Sequence, residues 1–142
     1  MTATEMLREW HAKFGVPILP APAWPGEKRA ELRVRLINEE ALEFEQASAG
    51  HDPVAVADAI ADLLYVVYGA ALEWGIPADD VLAEVHRSNM TKVWPDGTVH
   101  YREDGRVLKP PTYSPADIAG VFQSANAAKS QPVENPEKSA NT

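Results

Sequence analysis

Glu39, Glu40 and Glu43 stand close together in the segment Glu27 to Ala49, and Asp58 and Asp62 stand four residues apart in the segment Asp52 to Trp74. Both segments read as helices. With about 100° of rotation per residue, Leu32, Leu36, Ala47, Phe44, Ile37 and Ala41 share one broad arc of the first helix. Glu40 and Glu43 fall inside that arc, and Glu39 lies at its edge beside Leu32. Solvated acids such as Glu45 avoid such positions. The second segment, PVAVADAIADLLYVVYGAALEW, is apolar nearly all round, so it reads as the central buried element; its charged residues are Asp58, Asp62 and Glu73 alone. Packed together, the two helices bring several carboxylates to one place. Ionised carboxylates without a partner are costly in such surroundings, so a cation is expected among them.

Two kinds of cation answer that charge. Arg29, Arg33, Arg35, Arg87 or Lys92 reaching in would make a buried ion-pair network, but such networks need near-matched counts of opposite sign. Mg²⁺ or Mn²⁺, about two or three ions per site, suits clustered carboxylate oxygens better. A di-iron centre would want Glu-x-x-His, and no Glu here has His three residues on. The chemistry indicated is metal-assisted hydrolysis or phosphoryl transfer. Leu82 and Val85 define the inner face of a fourth helix, and Asn89 and Lys92 continue the same stripe, which brings an amide and an ammonium toward the helix end. Lys92 is read either as a complement to the helix dipole or, beside metals, as a reader of phosphate.

The elements that must place these residues are set off by proline and glycine. A first helix runs from about Thr4 to Phe14, with Thr2 and Glu5 spaced as a capping box and Gly15 as the stop. After a Pro- and Ala-rich loop come the helix Glu27 to Ala49, the helix opened by Asp52-Pro53, and a helix from Ile76-Pro77 to about Thr91. Asp96-Gly97 and Asp104-Gly105 then bracket short alternating runs, a small hairpin at most. Ser114-Pro115 opens a short helix through about Phe122. The expected fold is all-α, a four-helix-bundle-like core over residues 1–122, with a polar tail, 123–142, too poor in apolar residues to order.

Composition excludes several functions. The chain of 142 residues has no Cys, which removes thiolate metal sites and thiol nucleophiles, and its net charge of −8 is the wrong sign for a nucleic-acid partner. No stretch is free of charge for the roughly 18 residues of a membrane span, and the amphipathic, acid-bearing start lacks the layout of a signal peptide. A cytoplasmic protein without membrane partners is expected.

The runs RVRLINEEALEFEQA, DAIADLLYVVYG, VHRSNMTKVWPDG and EDGRVLKPPTYSPADI resemble the all-α nucleoside triphosphate pyrophosphatases, namely MazG-like proteins, dimeric dUTPases and phosphoribosyl-ATP pyrophosphohydrolases. The chain is most similar to the short MazG-like branch with dUTP-hydrolysing members, over roughly Glu5 to Val121. Glu40-x-x-Glu43 matches the first half of that family's metal motif and Asp62 the last acid. Where the second half begins with Glu, this chain has Ala59, and Asp58 beside it is the replacement expected. The resemblance implies Mg²⁺- or Mn²⁺-dependent cleavage between the α and β phosphates, here dUTP to dUMP and pyrophosphate, with phosphoribosyl-ATP as another substrate. It implies Glu40, Glu43, Asp58 and Asp62 as metal ligands, with Glu39 and Glu40 as the catalytic carboxylates, Glu39 orienting or deprotonating water. Asn89, Lys92, Lys109 and Tyr113 would hold the substrate, and Phe14 is either a base-stacking platform or plain core. A homodimer completing its sites across the interface is expected, partly because the third helix is too apolar to be covered within one chain. Ala59 motivates the opposite reading, a catalytically silent helical module that senses nucleotides or binds partners.

Overall fold

The computed structural model describes residues 1–130, and these form five helices in the order α1 (Ala3–Phe14), α2 (Glu27–Ala49), α3 (Pro53–Glu73), α4 (Ala78–Met90) and α5 (Ile118–Lys129). The fold is all-α. Thr2 and Glu5 close the capping box on α1, and Asp52 accepts the Val54 N–H at 2.9 Å to start α3, with Pro53 in its first turn. Where the Asp-Gly pairs stand, Asp96 and Asp104 each accept the N–H two residues on at 3.0 Å, and Gly97 and Gly105 take positive φ. The segment between is a minimal hairpin with one bridge, Tyr101 to Val107.

α2 and α3 pack along their length as an antiparallel pair, since Arg29 and Arg33 near the start of α2 meet Glu73 at the end of α3. α1 lies against α3, and the loop after α1 ties down the end of α3: Leu19 N–H donates to the Leu72 carbonyl at 3.0 Å and Ala23 N–H to that of Trp74 at 3.1 Å. Gly75 is required there, because its φ is +66° and a Cβ would run into the backbone of Ala21.

Three expectations are corrected. α3 is not buried within the chain: Ala59, Gly69, Leu72 and Glu73 are buried, whereas Val54, Ile60, Leu64 and Val67 are exposed. α1 and α2 cover one side of it, and α4 meets it only sparingly. Nor is Leu82 on an inner face of α4; it is 59% exposed, and the buried position is Ser88. The last helix starts later and runs longer than its sequence signals, past Phe122 to Lys129. Its cap is Asp117, which accepts the Gly120 N–H at 2.9 Å, because Ser114 and Pro115 are engaged by Arg87 on α4. The remaining tail, residues 131–142, lies outside the described residues.

By length and composition α3 is long and apolar enough to cross a membrane. It carries Asp58 and Asp62, whose charges are costly in a bilayer interior, and one side of it packs on α2.

Candidate active site

Glu40 and Glu43 lie one turn apart on α2 and face Asp62 on α3, and one carboxylate oxygen from each lies within 4.8 Å of the others. The cluster is open: Glu43 and Asp62 are exposed and Glu40 is half-buried. Glu40 Oε2 is nonetheless shielded from solvent and has no hydrogen-bond partner. Burial, and then repulsion from Glu43, Asp62, Glu39 and Asp58, pushes the Glu40 carboxyl above its ordinary range.

Among the described residues no basic side chain forms an ion pair with this cluster. Arg29 and Arg33 both turn to Glu73, and Arg87 turns to Glu84. These three arginines are used elsewhere, and among the described residues no ion pair from a basic side chain relieves the acid–acid repulsion at Glu40. Three convergent carboxylates with an unpartnered buried oxygen are a donor set for a hard divalent cation.

Asp58 stands outside the convergent set, although it adds to the repulsion felt by Glu40. Ala59, at 5% exposure, faces inward, and about 100° of rotation turns the neighbouring Asp58 to solvent. Glu39 is exposed and borders a groove of about 680 Å³ with Trp24, Val34, Leu42 and Trp74. The two indoles of that groove meet edge to face, 5.2 Å between centroids. Phe14 is 65% exposed and stacks on Trp10, which in turn meets the edge of Tyr65, three residues on from Asp62.

The other predicted residues form a second group at the end of α4. Lys92 Nζ donates to Asn89 Oδ1 at 2.8 Å, Lys109 Nζ lies 4.5 Å from the centroid of the Tyr113 ring, and the Tyr113 hydroxyl lies 3.2 Å from Ser88 Oγ. No hydrogen bond or ion pair joins this group to the carboxylates among the described residues.

A family model described as phosphoribosyl-ATP pyrophosphohydrolase matches residues 7–89, from α1 to the last turn of α4 and more than half of the chain. The chain belongs to the phosphoribosyl-ATP pyrophosphohydrolase family. No curated protein matches it. The matched span holds the whole carboxylate cluster of this pyrophosphohydrolase, together with Phe14 and Asn89, whereas Lys92, Lys109 and Tyr113 follow it.

Sequence reasoning missed the charge network that holds this family member's α2 on α3. Glu73 is fully buried and takes Arg33 Nη2 at 2.5 Å and both Arg29 Nε and Nη2, the former at 2.9 Å. Burial would raise its carboxyl; the two guanidiniums outweigh that and hold it below its ordinary range. The signal was present in Glu73 as an acid on an apolar helix, but nothing local said which basic residues would meet it.

Proposed function

We propose that this protein is a divalent-metal-dependent nucleotide pyrophosphohydrolase that cleaves between the α and β phosphates to give a monophosphate and pyrophosphate. The observation that carries the reading is the Glu40, Glu43 and Asp62 cluster, repulsive and without a basic partner, inside a family of that activity. The family match supports phosphoribosyl-ATP as the substrate; dUTP has behind it only the likeness of the chain to the short MazG-like branch.

Glu40, Glu43 and Asp62 would hold Mg²⁺ or Mn²⁺, with Asp58 contributing charge from outside the set. When bound, such ions neutralise phosphoryl oxygens and make a coordinated water more acidic. Glu39, exposed beside the cluster, is the carboxylate we assign to orient water and accept its proton. Lys92, Lys109 and Tyr113 bind the phosphates as two ammonium groups and a phenol, and Asn89 holds the Lys92 ammonium in place. Phe14 offers its exposed ring to the base, a role supported by the aromatic chain that links it through Trp10 to Tyr65 beside Asp62.

We assign the protein a homodimeric state in which both copies complete each site. The exposed apolar residues of α3 support this, as does the lack of any hydrogen bond or ion pair between the lysine group and the carboxylates among the described residues.

Release of pyrophosphate from phosphoribosyl-ATP, dUTP, dCTP, dTTP and ATP, each with Mg²⁺ and with Mn²⁺, tests the function. Metal-dependent turnover of one of them is expected. A chain that binds metal and nucleotide yet releases no pyrophosphate from any of the five would instead be the silent sensing module that Ala59 suggests.

A further inference from the structure

α4 buries one residue, Ser88, at 2% exposure, and what its side chain touches belongs to the segment after the hairpin. Ser88 Oγ lies 2.8 Å from the Ser114 carbonyl oxygen and 3.2 Å from the Tyr113 hydroxyl. The Ser88 carbonyl accepts from the Thr91 hydroxyl at 2.7 Å, and Thr91 Oγ1 accepts the Ser114 N–H at 2.8 Å.

The protons in this network can be assigned. A carbonyl brings no hydrogen, so the Ser88 hydroxyl donates to Ser114 and the Thr91 hydroxyl donates to the Ser88 carbonyl. Between neutral groups the Tyr113 phenol then donates to Ser88 Oγ, and when the phenol ionises the Ser88 hydroxyl turns to donate to the phenolate. Its ring meanwhile carries the Lys109 ammonium over its face at 4.5 Å. One buried hydroxyl therefore holds a phenol, and the phenol holds an ammonium. Lys92, one turn along from Ser88, adds the next positive charge and is itself tied to Asn89.

We propose that Ser88 is a positioning residue for anion binding, its hydroxyl fixing Tyr113, and through it Lys109, beside Lys92 so that the three present one face to a phosphate chain. This rests on the assignment of Lys92, Lys109 and Tyr113 to the substrate. The Ser88 hydrogen bond, followed by Lys109, Lys92 and Arg87, holds the Tyr113 phenol below its ordinary range, and burial only partly offsets them. Without Ser88, Tyr113 and Lys109 must be ordered at the moment of binding, which weakens binding roughly tenfold.

The test is calorimetric titration of the full chain with inorganic pyrophosphate, free of metal. Wild type should bind; Ser88→Ala should bind roughly tenfold more weakly, and the same substitution made in a Tyr113→Phe background should add little, because Ser88 acts through the phenol. Ser88→Cys fills nearly the same space with a weak donor and should show the same loss, which keeps the test valid if Ser88→Ala folds poorly. Tyrosinate absorbance gives a second readout: the titration step absent from Tyr113→Phe should move to higher pH in Ser88→Cys. If Lys92→Ala and Tyr113→Phe weaken pyrophosphate binding while both Ser88 variants bind as wild type, the positioning role is overturned and the phosphate assignment stands. If none of Lys92→Ala, Lys109→Ala and Tyr113→Phe changes the affinity, both fall together.

Discussion

Arg33 reaches Glu73 across 40 positions of sequence, its Nη2 donating to Oε1 at 2.5 Å, and it does so over a glycine. A Cβ at residue 69 would stand 2.8 Å from Arg33 Nη1 and 3.2 Å from His11 Nε2. Gly69 thus opens the passage through which α2 sends its guanidinium to the far end of α3, with the His11 ring on the same spot from α1. Three helices are registered by one buried acid.

Glu73→Gln should cost roughly 3–5 kcal/mol of stability, since it strands a buried guanidinium. Arg33→Met should cost more than Arg29→Met, because the Arg29 side chain is 32% exposed and that of Arg33 only 8%. Urea denaturation measures all three. Equal midpoints for the three variants and wild type would mean the network holds nothing together.

Glu43→Gln and Asp62→Asn should each lower turnover by at least about 10²-fold while leaving the melting temperature unchanged or raised, as each removes repulsion at Glu40. Mg²⁺ or Mn²⁺ should raise the melting temperature of wild type and not of the variants. A large loss of stability in metal-free buffer would instead make these carboxylates structural.

Asp58→Asn should weaken Mn²⁺ binding only a few-fold, as expected of a charge acting through solvent from outside the ligand set. Ala59→Glu places a carboxylate at a buried, inward-facing position and should tighten Mn²⁺ binding if the site is short of one ligand. Direct metal titration decides this. A loss of binding for Asp58→Asn as large as that for Glu43→Gln would make Asp58 a ligand.

His11 is 1% exposed, with Nδ1 3.1 Å from the Pro17 carbonyl, and burial keeps its pKa below 6.5, outweighing the Pro17 bond, which raises it, while Arg33 and Arg29 lower it further and Glu73 opposes them. The unfolded chain therefore binds the proton more readily than the native one, so stability is fully present above pH 6.5 and falls as pH drops below it. Glu73, held below 4.5, adds a second loss that begins near that pH. Thermal melts against pH should show both steps, and His11→Asn should remove the first. A flat profile down to pH 5, roughly the onset of the carboxylate step, would refute the His11 assignment.

Sedimentation at micromolar concentration should give a particle of twice the 15.5 kDa chain mass. Leu64→Lys on the exposed side of α3 should shift it toward the monomer. A wild-type monomer would leave that apolar face to another partner.

Local chemistry alone settled the first four helices, whereas the last is shifted by the hold of Arg87 on Ser114 and Pro115. The capping box at Thr2, the Asp52-Pro53 start and the Asp-Gly turns each act within a few residues, so the chain announces them. The convergence of Glu40, Glu43 and Asp62 was also legible, because helical periodicity fixes which acids share a face and an apolar helix bearing two aspartates has few ways to pack. What the sequence could not decide was which charges meet. Arg29 and Arg33 were equally available to the cluster and to Glu73, and only the packing of α2 on α3 commits them to Glu73 and leaves the cluster to a cation. Ser88 likewise sits in a polar run at the end of α4, and it becomes buried only because the segment carrying Tyr113 and Ser114 folds back over it. Partner choice between distant side chains depends on distance and desolvation, and both quantities exist only once the chain is folded.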